Sequence, residues 1–138
     1  MVLRALVDTG PLVALLDRSE RAHASVRAAF AAHESAELIT TEAVITEASY
    51  LLDFSVELQS ALQVLLGSGH LRVEPMTTAD RSRLAALIAK YRALPMDYAD
   101  ATLVLAAERL SITRILTLDR RDFGVYRVGR RVFQIYPR

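Results

Sequence analysis

Apolar residues follow two rhythms along this chain. Four short apolar blocks are bounded by polar or turn residues and read as strands: Leu3 to Val7, Glu37 to Thr40, Leu71 to Met76 and Arg114 to Leu118. Between them, apolar positions recur at intervals of three and four, the helical period. A first helix starts at Pro11 and carries Leu12, Leu15 and Leu16. A second spans about Glu20 to His33, a third Thr41 to Phe54, and a fourth Val56 to Leu66, which Gly67-Ser68-Gly69 stops. Thr77 and Asp80 form a capping box for a fifth helix reaching about Ala93, and Pro95 separates it from a sixth that begins near Asp97. The tail blocks Val125 to Val128 and Val132 to Tyr136 read as strand or irregular chain. Short strands alternating with longer helices predict an α/β fold: a central, mostly parallel sheet covered by helices on both faces, in one domain over residues 1–138.

Composition narrows the chemistry more than the fold. An apolar share of 52% supplies a core and excludes wholesale disorder. The absence of cysteine removes disulfide scaffolds, thiolate zinc sites and thiol nucleophiles. Seventeen basic against sixteen acidic residues leave a net charge of +1, so nucleic-acid binding would need a local basic patch. The apolar start is interrupted by Arg4, Asp8 and Gly10-Pro11, which fits neither a spanning helix nor a signal peptide. The expected location is the cytoplasm, with no membrane partner.

The acidic residues carry the functional signal. In open parallel sheets, ligands bind beyond the carboxyl ends of the strands. Asp8 and Asp119 stand at two such ends, although an aspartate there also serves as a helix cap. Glu47 has Ala43, Val44, Tyr50 and Leu51 as its helical neighbours, which predicts a carboxylate inside an apolar stripe. Burying it would require a cation, a hydrogen-bond network or a proton. Asp100 heads a similar stripe with Leu103 and Val104, whereas Asp97 reads as the cap of that helix. Convergence of Asp8, Glu47, Asp100 and Asp119 would be repulsive: each like pair about 4 Å apart costs on the order of 4 kcal/mol at an effective dielectric near 20. Such a cluster persists only if cations or protons neutralise it; with no cysteine and no ligand spacing among the three histidines, Mg²⁺ or Mn²⁺ is the natural cation for carboxylate oxygens. An acidic divalent-metal site suits phosphoryl transfer.

Other motifs fall away. Asp8-Thr9-Gly10 matches the triplet of retroviral-type aspartic proteases, but those are small β dimers and this chain is mostly helical. A haloacid-dehalogenase-type phosphatase needs a second Asp where Gly10 stands, and a receiver domain needs a lysine placed otherwise than mid-helix Lys90. Nucleotide-binding glycine loops and the serine-hydrolase elbow are absent.

Four segments in order, LVDTGPLVALLD, ITTEAVITEASYLL, DYADATLVLAAERL and ILTLDRRDF, resemble those of PIN-domain ribonucleases, nearest to the VapC-like toxins of toxin–antitoxin pairs. The resemblance covers nearly the whole chain. It implies a PIN-like three-layer sandwich and a metal-dependent endoribonuclease. It further implies a homodimer and a cognate antitoxin whose tail blocks the active site. The family's four acids fall on Asp8, Glu47, Asp100 and Asp119, and its hydroxyl residue on Thr9. Asp122 matches a variable extra acid, and Asp97 an acid found in some relatives.

These readings together predict an RNA substrate cut by water, leaving a 5′-phosphate and a 3′-hydroxyl. Asp8, Asp100 and Asp119 would hold one or two ions, with Glu47 completing the site directly or through water. Arg120, Arg121, Arg127, Arg130, Arg131 and Arg138 are candidates for phosphate contact, and Tyr91, Tyr98 and Tyr126 for base stacking. The rival readings are a non-catalytic PIN-like protein that binds RNA or a partner helix, an acidic-site phosphatase, and a nuclease acting on DNA.

Overall fold

The structure is a computed structural model that describes residues 2–138. Its centre is β1 (Arg4–Val7), where Ala5, Leu6 and Val7 are fully buried. Such a run without polar alternation fits a strand covered on both faces. On one side β1 pairs in parallel with β2 (Glu37–Thr40), which pairs in parallel with β3 (Leu71–Val73). On the other side it pairs with β4 (Arg114–Leu116), and β4 with β7 (Gln134–Tyr136), again in parallel. The sheet order is therefore β3-β2-β1-β4-β7. A separate antiparallel hairpin joins β5 (Arg127–Val128) to β6 (Arg131–Val132).

The helices fill the connections. Helices α1 (Thr9–Leu16) and α2 (His23–Ala32) lie between β1 and β2, and α3 (Glu42–Leu51) and α4 (Val56–Gly67) between β2 and β3. Helices α5 (Arg81–Lys90) and α6 (Tyr98–Leu110) precede β4, and α7 (Arg120–Phe123) follows it. From β1 the chain steps outward to β2 and β3, then crosses back to β4 on the opposite side. The winding thus reverses between β1 and β4, and at such a switch point the connections diverge and open a crevice beyond the strand ends.

Helix α6 is the most deeply seated element, with every residue from Ala99 to Ala107 buried. Its alanines let the backbone approach its neighbours closely, and the surrounding core includes Leu6, Leu12, Ile39 and Ile115. Two polar residues, Asp100 and Thr102, go inside with it. The Thr102 hydroxyl is satisfied by the Ala99 carbonyl and, across to the start of α3, by the Thr41 hydroxyl at 2.8 Å.

Apart from the short α7, the expected element types are present, and the other differences lie at the ends. Helix α3 stops at Leu51, not Phe54, and α5 at Lys90, not Ala93. Helix α2 starts at His23, not Glu20, and β3 ends at Val73, not Met76. The Thr77–Asp80 capping box is present, but it caps a single 3-10 turn leading into α5. The four-residue α7 is too short to show periodicity and was not expected. Among the described residues, no helix is long and apolar enough to cross a membrane.

Candidate active site

Asp8 is the cap residue of α1 and closes the end of β1. One carboxylate oxygen accepts from the Thr9 amide at 2.8 Å, and the other from the Thr117 hydroxyl at 2.7 Å. The Thr117 hydroxyl also accepts from the Asp119 amide at 3.0 Å, so one buried threonine ties the loops beyond β1 and β4 together. Gly10 permits this close approach, because a Cβ there would meet the Leu118 side chain at 3.2 Å. Asp119 caps α7 by accepting from the Asp122 amide at 2.9 Å. Gly124 ends that turn where a Cβ would strike the Arg120 carbonyl at 2.6 Å. Asp97 caps α6 by accepting from the Asp100 amide at 2.8 Å, as the sequence suggested.

These side chains share one cleft of about 460 Å³ at the switch point. Asp8, Glu47, Asp97, Asp100 and Asp119 all line it. No arginine or lysine is among its lining residues. Carboxylate oxygens of Asp100, Asp119 and Asp122 lie within 4.8 Å of one another, a spacing that one cation could span. A cavity of about 490 Å³ at the amino ends of β2 and β3 is slightly larger, but its Glu37 already pairs with Arg72 and no acids converge there.

The electrostatics report the crowding. Burial pushes Asp8 up to about 6, and the charges of Glu47 and Asp97 add to the rise against the hydrogen bonds from Thr117 and Thr9. Burial pushes Asp100 up to about 8, with Asp97, Asp8 and Asp119 contributing and the Tyr126 hydroxyl opposing. Burial and the adjacent Asp119 raise Asp122 as well. Without a counter-ion these carboxyls resist ionisation together. Hard oxygen donors, a lining without basic side chains and mutual repulsion fit a divalent cation such as Mg²⁺ or Mn²⁺.

One expectation is corrected. Glu47 is exposed and lies at the rim of the cleft, not within a buried stripe. The core-facing side of α3 is Val44, Ile45 and Ala48, while Tyr50 and Leu51 are 73% and 47% exposed. Of its apolar neighbours only Val44 is buried, while Tyr50 and Leu51 face solvent, so the burial cost that pointed to Glu47 does not exist.

Two contributors had no sequence signal strong enough to name them as part of the site: Thr117, and Tyr126, whose hydroxyl donates to Asp100 at 2.9 Å. Asp122, singled out as a variable extra acid, does join the acid group. Tyr91 and Tyr126 are buried and cannot stack on bases, whereas Tyr98 is 46% exposed beside Arg81. Arg120 donates to the Pro137 carbonyl, and Arg127 to the carbonyls of Gly124, Val125 and Tyr126. Arg121, Arg130 and Arg131 remain exposed.

Comparison with known proteins agrees with this architecture. A family model described as PIN domain matches residues 5–130. The chain is 32% identical over 135 residues to Ribonuclease VapC26 of Mycobacterium tuberculosis, covering 96% of this chain and 99% of the relative. Among solved structures it is similar to Mycobacterium tuberculosis VapC20, described as a Sarcin-Ricin loop cleaving toxin. That match has a TM-score of 0.76 at 18% identity and covers 85% of this chain and 91% of the other. It is also similar to VapBC2 from Rickettsia felis bound to a promoter DNA fragment, with a TM-score of 0.69 at 12% identity, covering 96% and 98% of the two chains.

Proposed function

The chain belongs to the PIN-domain family, alongside VapC-type ribonucleases, and on that premise we propose that it is a divalent-metal-dependent endoribonuclease, the toxin of a toxin–antitoxin pair. The observation that carries the reading is the cleft at the β1/β4 switch point, lined by five carboxylates and no basic side chain. Asp8, Asp100 and Asp119 would hold the cation, Mg²⁺ or Mn²⁺, with Asp122 close enough to share in it. When bound, the cation supplies an activated water and positive charge for the attacking and leaving oxygens.

The chain's own groups do the positioning. Thr9 and Thr117 fix both oxygens of Asp8, and Asp97 anchors the first turn of α6 so that Asp100 faces the cleft. Glu47, at the solvent rim, orients an entering water and accepts its proton at a carboxylate oxygen. Water, not the ribose hydroxyl, is then the nucleophile, and the products carry a 5′-phosphate and a 3′-hydroxyl. The substrate is single-stranded or looped RNA, whose backbone can reach a recessed cleft. Arg121, Arg130 and Arg131 are the tail arginines available to its phosphates. The protein acts as a cytoplasmic homodimer and is held in check by a cognate antitoxin. A VapB–VapC assembly among its structural neighbours supports the antitoxin partner.

The test is cleavage of RNA, DNA and a mononucleotide side by side, with Mn²⁺, Mg²⁺ or EDTA, followed by end-group analysis. RNA alone should be cut, only with metal, leaving 5′-phosphate ends. Cleavage that persists in EDTA, or 2′,3′-cyclic ends, would refute the proposal, and no cleavage with Mn²⁺ would favour the non-catalytic reading. Glu47→Gln is expected to lose at least about tenfold in rate. Its metal-free melting temperature should not fall and should rise at most slightly, because the side chain is exposed and its charge only adds to the repulsion on Asp8.

A further inference from the structure

Tyr126 is fully buried and holds one oxygen of Asp100. Its hydroxyl is the only hydrogen-bond donor to that carboxylate among the described residues. The ring is clamped edge-on by Tyr91 at 4.9 Å and by Phe123 at 5.0 Å, and Phe123 packs in turn on Phe133 at 5.3 Å. The Tyr126 amide donates to the Asp122 carbonyl at 3.0 Å. Tyr126 therefore sits on the segment that carries Asp119 and Asp122, while its hydroxyl reaches back to α6. It bridges the two chain segments whose acids form the 4.8 Å group.

Packing alone does not account for this tyrosine. A phenylalanine would fill the same aromatic cage without placing a hydroxyl in the core. The neighbouring Tyr91 shows the contrast: its hydroxyl accepts from the Arg127 amide at 3.0 Å and touches no acid of the cleft.

We propose that Tyr126 is a positioning residue for the metal site, holding the Asp100 carboxylate at the fixed separation from Asp119 and Asp122 that one divalent cation requires. A carboxylate locked in one rotamer loses less freedom on coordination, and groups that orient a ligand in this way typically govern metal affinity by 10- to 100-fold. The inference rests on the metal-dependent reading of the cleft and extends it to a residue outside the acid set.

The experiment is titration of the full-length, metal-free protein with Mn²⁺ by calorimetry, comparing wild type, Tyr126→Phe and Tyr91→Phe. Tyr126→Phe should bind Mn²⁺ at least about tenfold more weakly. Tyr91→Phe, which also removes one buried hydroxyl from the aromatic cluster, should bind like wild type. In an Asp100→Ala background, which removes both the carboxylate and the acceptor, Tyr126→Phe should change the affinity no further, because the two residues act as one unit. Rising Mn²⁺ should restore much of the RNA-cleavage rate of Tyr126→Phe, and the KM for RNA should stay unchanged. Equal affinities for wild type and Tyr126→Phe would overturn the proposal, as would an equal loss in Tyr91→Phe. If Tyr126→Phe does not fold, Asp100→Glu decides: its longer arm displaces the carboxylate from the hydroxyl, so undiminished Mn²⁺ affinity there would overturn the proposal too. A wild type that binds no Mn²⁺ would instead sink the metal-dependent reading, and this role with it.

Discussion

Asp8→Asn and Asp100→Asn are each expected to lose at least about a hundredfold in RNA cleavage while making the metal-free protein more stable. The loss follows from removing a negative ligand from a site that must concentrate positive charge at a phosphate. The gain follows from the elevated carboxyls. Asp100 stands near 8 and Asp8 near 6 against an ordinary value of 3.8, so at neutral pH folding either forces ionisation in a crowded, buried site or takes up a proton. Each unit of elevation corresponds to about 1.4 kcal/mol, and the two sites interact, so a gain of a few kcal/mol is the expected scale. For a domain of this length that is roughly 5–10 °C in melting temperature. Asparagine keeps the acceptor that Tyr126 needs at position 100, so the packing of α6 survives. The measurement is paired: cleavage rate with Mn²⁺ and thermal melting in EDTA. If both variants melted well below wild type in EDTA, the acids would be structural members of the fold and the cleft would lose its claim to be an active site.

The opposing signs matter because ordinary core damage gives both losses together. A group that the fold tolerates only at a cost, and that activity cannot spare, is the signature of a site built for function rather than stability.

The acids differ in how readable they were from sequence. Asp8 and Asp119 were legible because each follows a short apolar strand, and parallel strands all deliver their carboxyl ends to one edge. Asp100 was legible because α6 is apolar nearly all round, leaving a carboxylate on it nowhere to go but inward. Glu47 does line the cleft, but the reason that pointed to it failed. Periodicity identifies an apolar stripe without showing what covers it, and Tyr50 and Leu51 turn to solvent. Thr117 and Tyr126 act through side-chain bonds spanning 109 and 26 residues. Such pairings exist only once the sheet is assembled, so no local pattern announces them. The same limit applies to β7, whose place beside β4 depends on register rather than on its own three residues.

Metal-free stability is expected to fall as pH rises from about 4.5 to 8.5, and saturating Mn²⁺ is expected to reverse that slope. For a carboxyl raised in the folded state, the unfolded chain releases its proton first. The stabilisation is complete below the unfolded value near 3.8 and is lost as pH climbs through the folded value, about 6 for Asp8 and about 8 for Asp100. Asp17 and Asp80 work the other way, because hydrogen bonds from Ser19 and Arg109 respectively depress them. Their contribution is lost on acidification below that range, which puts the stability maximum of the metal-free protein in mild acid. Coordination needs ionised carboxylates, so Mn²⁺ affinity grows with pH and its stabilisation grows with it. Melting curves in EDTA and in saturating Mn²⁺ should therefore be close together near pH 5 and separate steadily toward pH 8.5. Asp100→Asn should flatten the EDTA curve most, since Asp100 carries the larger rise. Parallel curves across the range, or an EDTA curve that climbs with pH, would mean that the carboxylates are already compensated inside the fold, leaving no electrostatic need for a cation.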